Sequence, residues 1–113
     1  MDYTVDQVKS ILVEAEQAAH SAAVKFFNER MHGQDRGACG FAWVTIFGVR
    51  GNTRLGKALK AAGVRQDYTK AFCLWNPAKV GVQNIDTLEA GAQAAAEVLV
   101  KYGFRAYADS RLD

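Results

Sequence analysis

Residues Gly40 to Lys57, GFAWVTIFGVRGNTRLGK, decide how this chain is read. From Phe41 to Val49 both alternating faces are largely apolar. Phe41, Trp43, Thr45 and Phe47 share one face, and Ala42, Val44 and Ile46 share the other. An extended segment of that kind is expected as a central strand. Leu55, Ala58, Leu59 and Ala62 then recur at helical spacing, with Asn52 or Thr53 as cap and Gly63 past the end. The stretch therefore predicts a strand, a tight loop and a basic helix over 53–62. A strand that hands backbone N–H groups and cations to a helix start is physically an anion site.

The same stretch fits the phosphate-loop spacing G-x-x-x-x-G-K through Gly51, Gly56 and Lys57. The next residue is Ala58, so the hydroxyl that would hold magnesium is missing. Gly56 also falls inside the first helical turn rather than before it. Nucleotide hydrolysis is therefore not expected. A metal-free phosphate site built from Arg50, Asn52, Arg54 and Lys57 is.

Upstream, Thr4 and Gln7 form a capping-box pattern. Val8, Ile11, Leu12, Ala15, Ala18, Ala19, Ala22, Phe26 and Phe27 then trace one apolar stripe, predicting a helix from Val5 to Met31. Such a helix runs roughly 40 Å, more than a small sheet covers. This predicts that it packs partly on a second subunit, or covers the free face of the sheet. Residues 31–40, MHGQDRGACG, read as a loop.

Downstream, Ala71–Trp75 reads as a second strand, Asn76-Pro77-Ala78-Lys79 as a turn, and Val80–Gln83 as a short returning strand. Asp86, with Glu89 completing a capping box, opens a helix that runs to Tyr102. Leu88, Ala92, Ala95, Ala96 and Leu99 form its core stripe. Phe104–Ala108 is the last strand, and Asp109–Asp113 reads as a tail. The predicted class is α+β: a ferredoxin-like β-α-β-β-α-β sheet with an additional long N-terminal helix. The rival is a three-stranded parallel sheet, should 80–83 be loop. The 113 residues are expected to form one domain, the helix in 1–32 and the α+β core in 40–113.

Half the residues are hydrophobic, enough for a core. No apolar run approaches the roughly 18 residues that span a bilayer, so no membrane association is expected. The N-terminal MDYTVDQVKSILVEAEQ has acids near its start and no apolar stretch typical of a signal peptide. A cytoplasmic protein is expected. Net charge is only +2, but Arg50, Arg54, Lys57, Lys60, Arg65 and Lys70 face Asp67 alone between positions 50 and 70. A local anionic ligand suits that distribution better than a long nucleic-acid groove.

Chemistry beyond binding has little to stand on. Cys39 and Cys73 lack metal-ligand spacing and read as small buried hydrophobes kept reduced. His20 sits among alanines of the first helix. His32, Asp35 and Cys39 lie close in sequence, and a Cys–His pair is the one candidate nucleophile. No metal, no cofactor and no enzymatic activity are expected. Trp75 offers a stacking face, and Asn76 and Asn84 offer amides suited to base edges and ribose hydroxyls. In the tail, Leu112 is a candidate anchor on a neighbouring subunit. Arg111 would then be left to pair with an acid or an anionic ligand.

The segments CGFAWV (39–44) and AYADSRLD (106–113) resemble a family of short phage-encoded proteins of unassigned function. WNP (75–77) and QN-x-D (83–86) fit the same resemblance. No activity is assigned to that family, so no catalytic residue carries over. What the resemblance implies is a setting, the host cell cytoplasm, where small accessory phage proteins act in host takeover or neutralise host defence. Several such proteins are compact oligomers that sequester cyclic nucleotide signals. The expected function is then a non-enzymatic, homo-oligomeric module binding a phosphorylated nucleotide-like ligand through Arg50, Asn52, Arg54, Lys57, Trp75, Asn76, Asn84 and Arg111. The alternative is a protein- or nucleic-acid-binding regulator.

Overall fold

The long N-terminal helix forms where the apolar stripe places it. In the computed structural model, which describes residues 2–113, helix α1 spans Val5–Glu29. The Thr4 hydroxyl accepts from the Gln7 N–H, and the Gln7 side chain accepts from the Thr4 N–H. Val8, Ile11, Leu12, Ala15, Ala19 and Ala23 are its buried residues. Strand β1 follows at Gly40–Phe47, helix α2 at Arg54–Ala61, strand β2 at Arg65–Gln66 and strand β3 at Phe72–Trp75. Helix α3 is Ile85–Lys101 and strand β4 is Arg105–Leu112. The fold is α+β: three helices and one four-stranded antiparallel sheet of order β2-β3-β1-β4.

The ferredoxin-like strand order, as the sequence suggests it, is not matched. It requires Val80–Gln83 to return beside Ala71–Trp75, and residues 80–83 form no strand. The turn at Pro77 is not a hairpin turn. Asn76 and Lys79 both adopt left-handed backbone (φ 46 and 50), and the segment is drawn to α1 instead. His20 Nδ1 meets the Ala78 carbonyl at 2.9 Å, and Lys79 pairs with Glu16. Further on, the Asp35 carboxylate accepts from the backbone N–H groups of Gln83 and Asn84. The strand that does pair with β3 on this side is β2, with Arg65 opposite Cys73 and Gln66 opposite Phe72. Two polar residues carry no apolar alternation, so nothing in the sequence marks them as a strand. The parallel-sheet rival fails too, since every pair is antiparallel.

Two further boundaries differ. The cap of α3 is Asn84, not Asp86: its Oδ1 accepts from the Thr87 N–H at 2.9 Å. The C-terminal residues are not a tail. β4 stays in register along all of β1, from Phe47 opposite Arg105 to Gly40 opposite Leu112. The Asp113 N–H still donates to the Cys39 carbonyl.

All three helices bury their apolar residues into one core. Ala42, Val44 and Ile46 of β1, Phe72 of β3 and Ala106 of β4 meet Leu55 and Leu59 of α2 and Leu88, Ala92, Ala95 and Leu99 of α3. α1 lies along α3. The small residues allow close approach: a Cβ on Gly91 would lie 2.5 Å from Ala78 Cβ and 3.1 Å from the Ala19 carbonyl oxygen. Ala15, Ala19 and Ala23 of the α1 stripe are thus buried within the chain, and α1 does not cover the sheet's other face. No helix among the described residues is long and apolar enough to cross a membrane.

Candidate functional site

Strand alternation sends one set of side chains to the core and the other to the uncovered face of the sheet. On β1 the outward set is Phe41, Trp43, Thr45 and Phe47. The register then fixes their neighbours. Trp43 lies between Trp75 and Asp109, Thr45 between Cys73 and Tyr107, Phe41 opposite Arg111, and Phe47 opposite Arg105.

Five aromatic rings result, in two groups. Trp43 stacks on Trp75 with centroids 5.4 Å apart, and Phe41 adjoins Trp75 at 5.6 Å. The Arg111 guanidinium carbon lies 5.3 Å from the Phe41 centroid, a cation–π arrangement. Phe47 and Tyr107 form the second group, 5.8 Å apart. Three of the rings are open to solvent, Trp75 being 52% exposed, Tyr107 58% and Phe47 43%, while Phe41 and Trp43 are half-buried. Along β1 the face measures about 20 Å from Phe41 to Phe47. Exposed aromatic surface of this kind on a small protein is a candidate interaction site.

Because β2 covers only Phe72 and Cys73, the edge of β3 beyond it is left unpaired. A cleft of about 820 Å³ borders the face there, lined by Trp43, Trp75, Arg65, Tyr68, Lys79 and Arg111 among others. Cys73 stands between the two aromatic groups. Burial pushes its thiol pKa up, and the carboxylates of Asp67 and Asp109 add to the shift. It is held as a neutral thiol, a poor nucleophile.

The expected site residues separate. Trp75 and Arg111 stand on the same open face and line the same cleft. Arg50 and Asn52 lie in the loop after β1 and line a hollow with Lys60 and Lys70. Lys57 turns to the other side, beside Tyr3 and Thr4, while Arg54 lines both that hollow and one that it shares with Arg50. The α2 start is not an open phosphate cradle. The Thr53 hydroxyl accepts from the Gly56 N–H and donates to the Arg50 carbonyl. Gly56 is packed so closely that a Cβ would lie 2.0 Å from the Arg50 carbonyl oxygen, so its role is packing. Asn76 is a turn residue whose N–H donates to Ala42. Asn84 is only 2% exposed, and besides capping α3 its Nδ2 donates to Asp35. It has no amide to offer a ligand.

Cys39 is exposed rather than buried, and its sulfur neighbours Gln83 Oε1 at 3.8 Å rather than a histidine. His32 is exposed in the loop after α1, with left-handed backbone. The expected Cys–His contact is not made.

Phe41, Trp43, Phe47, Arg65, Arg105 and Tyr107 are the face residues that sequence reasoning passes over. A signal existed: Arg105, Tyr107, Asp109 and Arg111 alternate with Ala106, Ala108 and Ser110, which marks a strand with one solvent face. Its neighbour β1 shares that face.

Comparison of the chain with protein-family models, with curated proteins and with solved structures finds no match in any of the three.

Proposed function

We propose that this protein is a metal-free binding module whose open sheet face stacks the bases of a single-stranded nucleic acid. The observation that carries this reading is the outward-facing array of an exposed Trp75 with the half-buried Phe41 and Trp43, and Arg111 over its edge. Aromatic rings on a sheet face accept bases of any identity through their π-faces. Arg65, Arg105 and Arg111 stand around the rings, where a backbone would run. An open face suits a strand that enters and leaves, whereas a small ligand is held best by enclosure.

The test uses the protein's own fluorophores, because both tryptophans of the chain lie on the face. Saturable quenching by oligothymidylate or oligouridylate at low salt is the expected result. Fluorescence unmoved by either at high micromolar concentration sinks the reading.

A compact nucleotide-like ligand is the second reading, and the cleft beside Trp75 favours it. Its volume of about 820 Å³ falls within the roughly 300–1,000 Å³ of small-molecule sites, and Trp43, Trp75, Arg65 and Arg111 supply stacking and charge. In a phage setting such a module would sequester a host immune second messenger as an anti-defence device. Quenching by cyclic di- or trinucleotides but not by oligonucleotides would select this reading. Association of α1 with a second copy has the exposed Val13 and Val24 as its support.

A further inference from the structure

At the end of the sheet where β1 leaves and β3 enters, the chain forms a second hollow of about 1050 Å³. Phe47, Arg50, Lys60, Gln66 and Lys70 line it together with the backbone of the loop after β1. Lys60 reaches back from α2 to Gly51. A Cβ on that glycine would lie 2.8 Å from Lys60 Nζ and 3.0 Å from Gln66 Nε2. A side chain at position 51 would thus occupy the space where these two donors converge. Lys70 is brought to the rim by the turn between β2 and β3. Its N–H donates to the Asp67 carbonyl, and its own carbonyl accepts from Gln66 Nε2 at 2.9 Å.

The charge in this hollow is unbalanced. Among the described residues the ion pairs are Lys79–Glu16 and Lys101–Glu14, both elsewhere. Arg50, Lys60 and Lys70 therefore have no carboxylate partner. The one acid in the lining is Asp67. Its carboxylate already accepts from the Thr69 hydroxyl, the Thr69 N–H and the Ala71 N–H. Three cations face one acid, whose Oδ1 is engaged within its own turn, so the hollow is net positive. Such an arrangement attracts an anion.

Phe47 lines this hollow and is also part of the aromatic face. The two surfaces are therefore continuous. We propose that the hollow receives backbone phosphates of the same single strand, so that its footprint runs from Trp75 and Phe41 past Phe47 to Lys60 and Lys70. This rests on the base-stacking reading of the open face. The bases contribute affinity on the rings, and the phosphates contribute a salt-dependent term at the hollow.

The experiment is a salt series of tryptophan-quenching titrations with an oligothymidylate long enough to pass from the face to the hollow. It compares the wild type with Lys60→Gln and Lys70→Gln. Lys9→Gln, exposed on α1, is a control of equal charge change. Both hollow lysines are exposed, so the fold is retained. Each hollow variant is expected to flatten the slope of log K against log salt by about 0.7. The quenching at saturation should be unchanged, and Lys9→Gln should match the wild type. Wild-type slopes in both hollow variants, with full quenching, overturn the phosphate hollow and leave base stacking standing. Absence of quenching in the wild type overturns both.

Discussion

Trp43 stacks on Trp75 across the β1–β3 boundary, with ring planes 14° from parallel. The two residues are direct register partners, so the contact is set by the backbone. Half of Trp75 remains exposed to solvent, and the ring therefore contributes more surface for a ligand than burial for the fold. Trp75→Ala should cost the fold about 1–3 kcal/mol, the worth of its two aromatic pairs with Trp43 and Phe41. It should weaken oligonucleotide binding roughly 5- to 150-fold, which is the ~1–3 kcal/mol of one base stack. Thermal melting measures the first quantity and titration the second. Wild-type affinity in a folded Trp75→Ala protein would remove the stacking role.

Gly91 governs how closely α1 approaches α3. Its missing Cβ would overlap Ala78 and press on the Ala19 carbonyl, and neither neighbour is a flexible side-chain end. Gly91→Ala should destabilise the protein by about 1–3 kcal/mol through overpacking. Gly81 has open space around it and no positive φ, so Gly81→Ala should be neutral or slightly stabilising. Denaturant unfolding of the two variants side by side checks the contrast. Equal midpoints would show that the α1–α3 contact can relax.

These contacts also show where the sequence was readable. The helices could be read because their apolar spacing is long and periodic. β1 could be read because it is apolar on both faces. That same property hides the site: a strand apolar on both sides reads as covered on both, so nothing marks the face of Phe41, Trp43 and Phe47 as the open one. β2 is two polar residues, and only its register with Cys73 and Phe72 defines it. Val80–Gln83 has the alternation of a short strand, but Asp35, forty-eight residues from Gln83 in sequence, holds it as a loop. Asn84 looked like a ligand-reading amide, yet it caps α3. The partner of 80–83 is distant in sequence, which local pattern does not report, whereas the Asn84 cap is local but competes with the Asp86–Glu89 pattern two residues on.

Asp35 predicts how the fold responds to acid. Its carboxyl is held below the ordinary carboxylate range, first by the Asn84 side-chain amide and then by the Gln83 N–H. A carboxylate depressed in the fold stabilises at every pH above its unfolded value, near 3.8. That stabilisation is lost as pH falls through the lower folded value. Asp35→Asn should therefore melt below the wild type at neutral pH, and the two should converge as pH falls past 3.8 to the acid limit of the titration. A constant gap between the melting curves down to that limit would mean that the charge of Asp35 plays no part in holding residues 83 and 84.

Cys73 gives a chemical footprint of the open face. Burial, Asp67 and Asp109 raise its thiol pKa, whereas Cys39 is exposed with only Gln83 beside it. The thiolate is the reacting species, so iodoacetamide at mildly alkaline pH should label Cys39 first and Cys73 much more slowly. Asp109→Asn removes one of the carboxylates that raise the Cys73 pKa and should speed labelling there without altering Cys39. A strand lying across Trp43, Thr45 and Tyr107 covers Cys73, which sits between the two aromatic groups, and leaves Cys39 free. Saturating oligothymidylate should therefore protect Cys73 alone, read by peptide mass analysis. Protection of Cys39 with Cys73 still reactive would move the ligand off the aromatic face and toward the loop before β1.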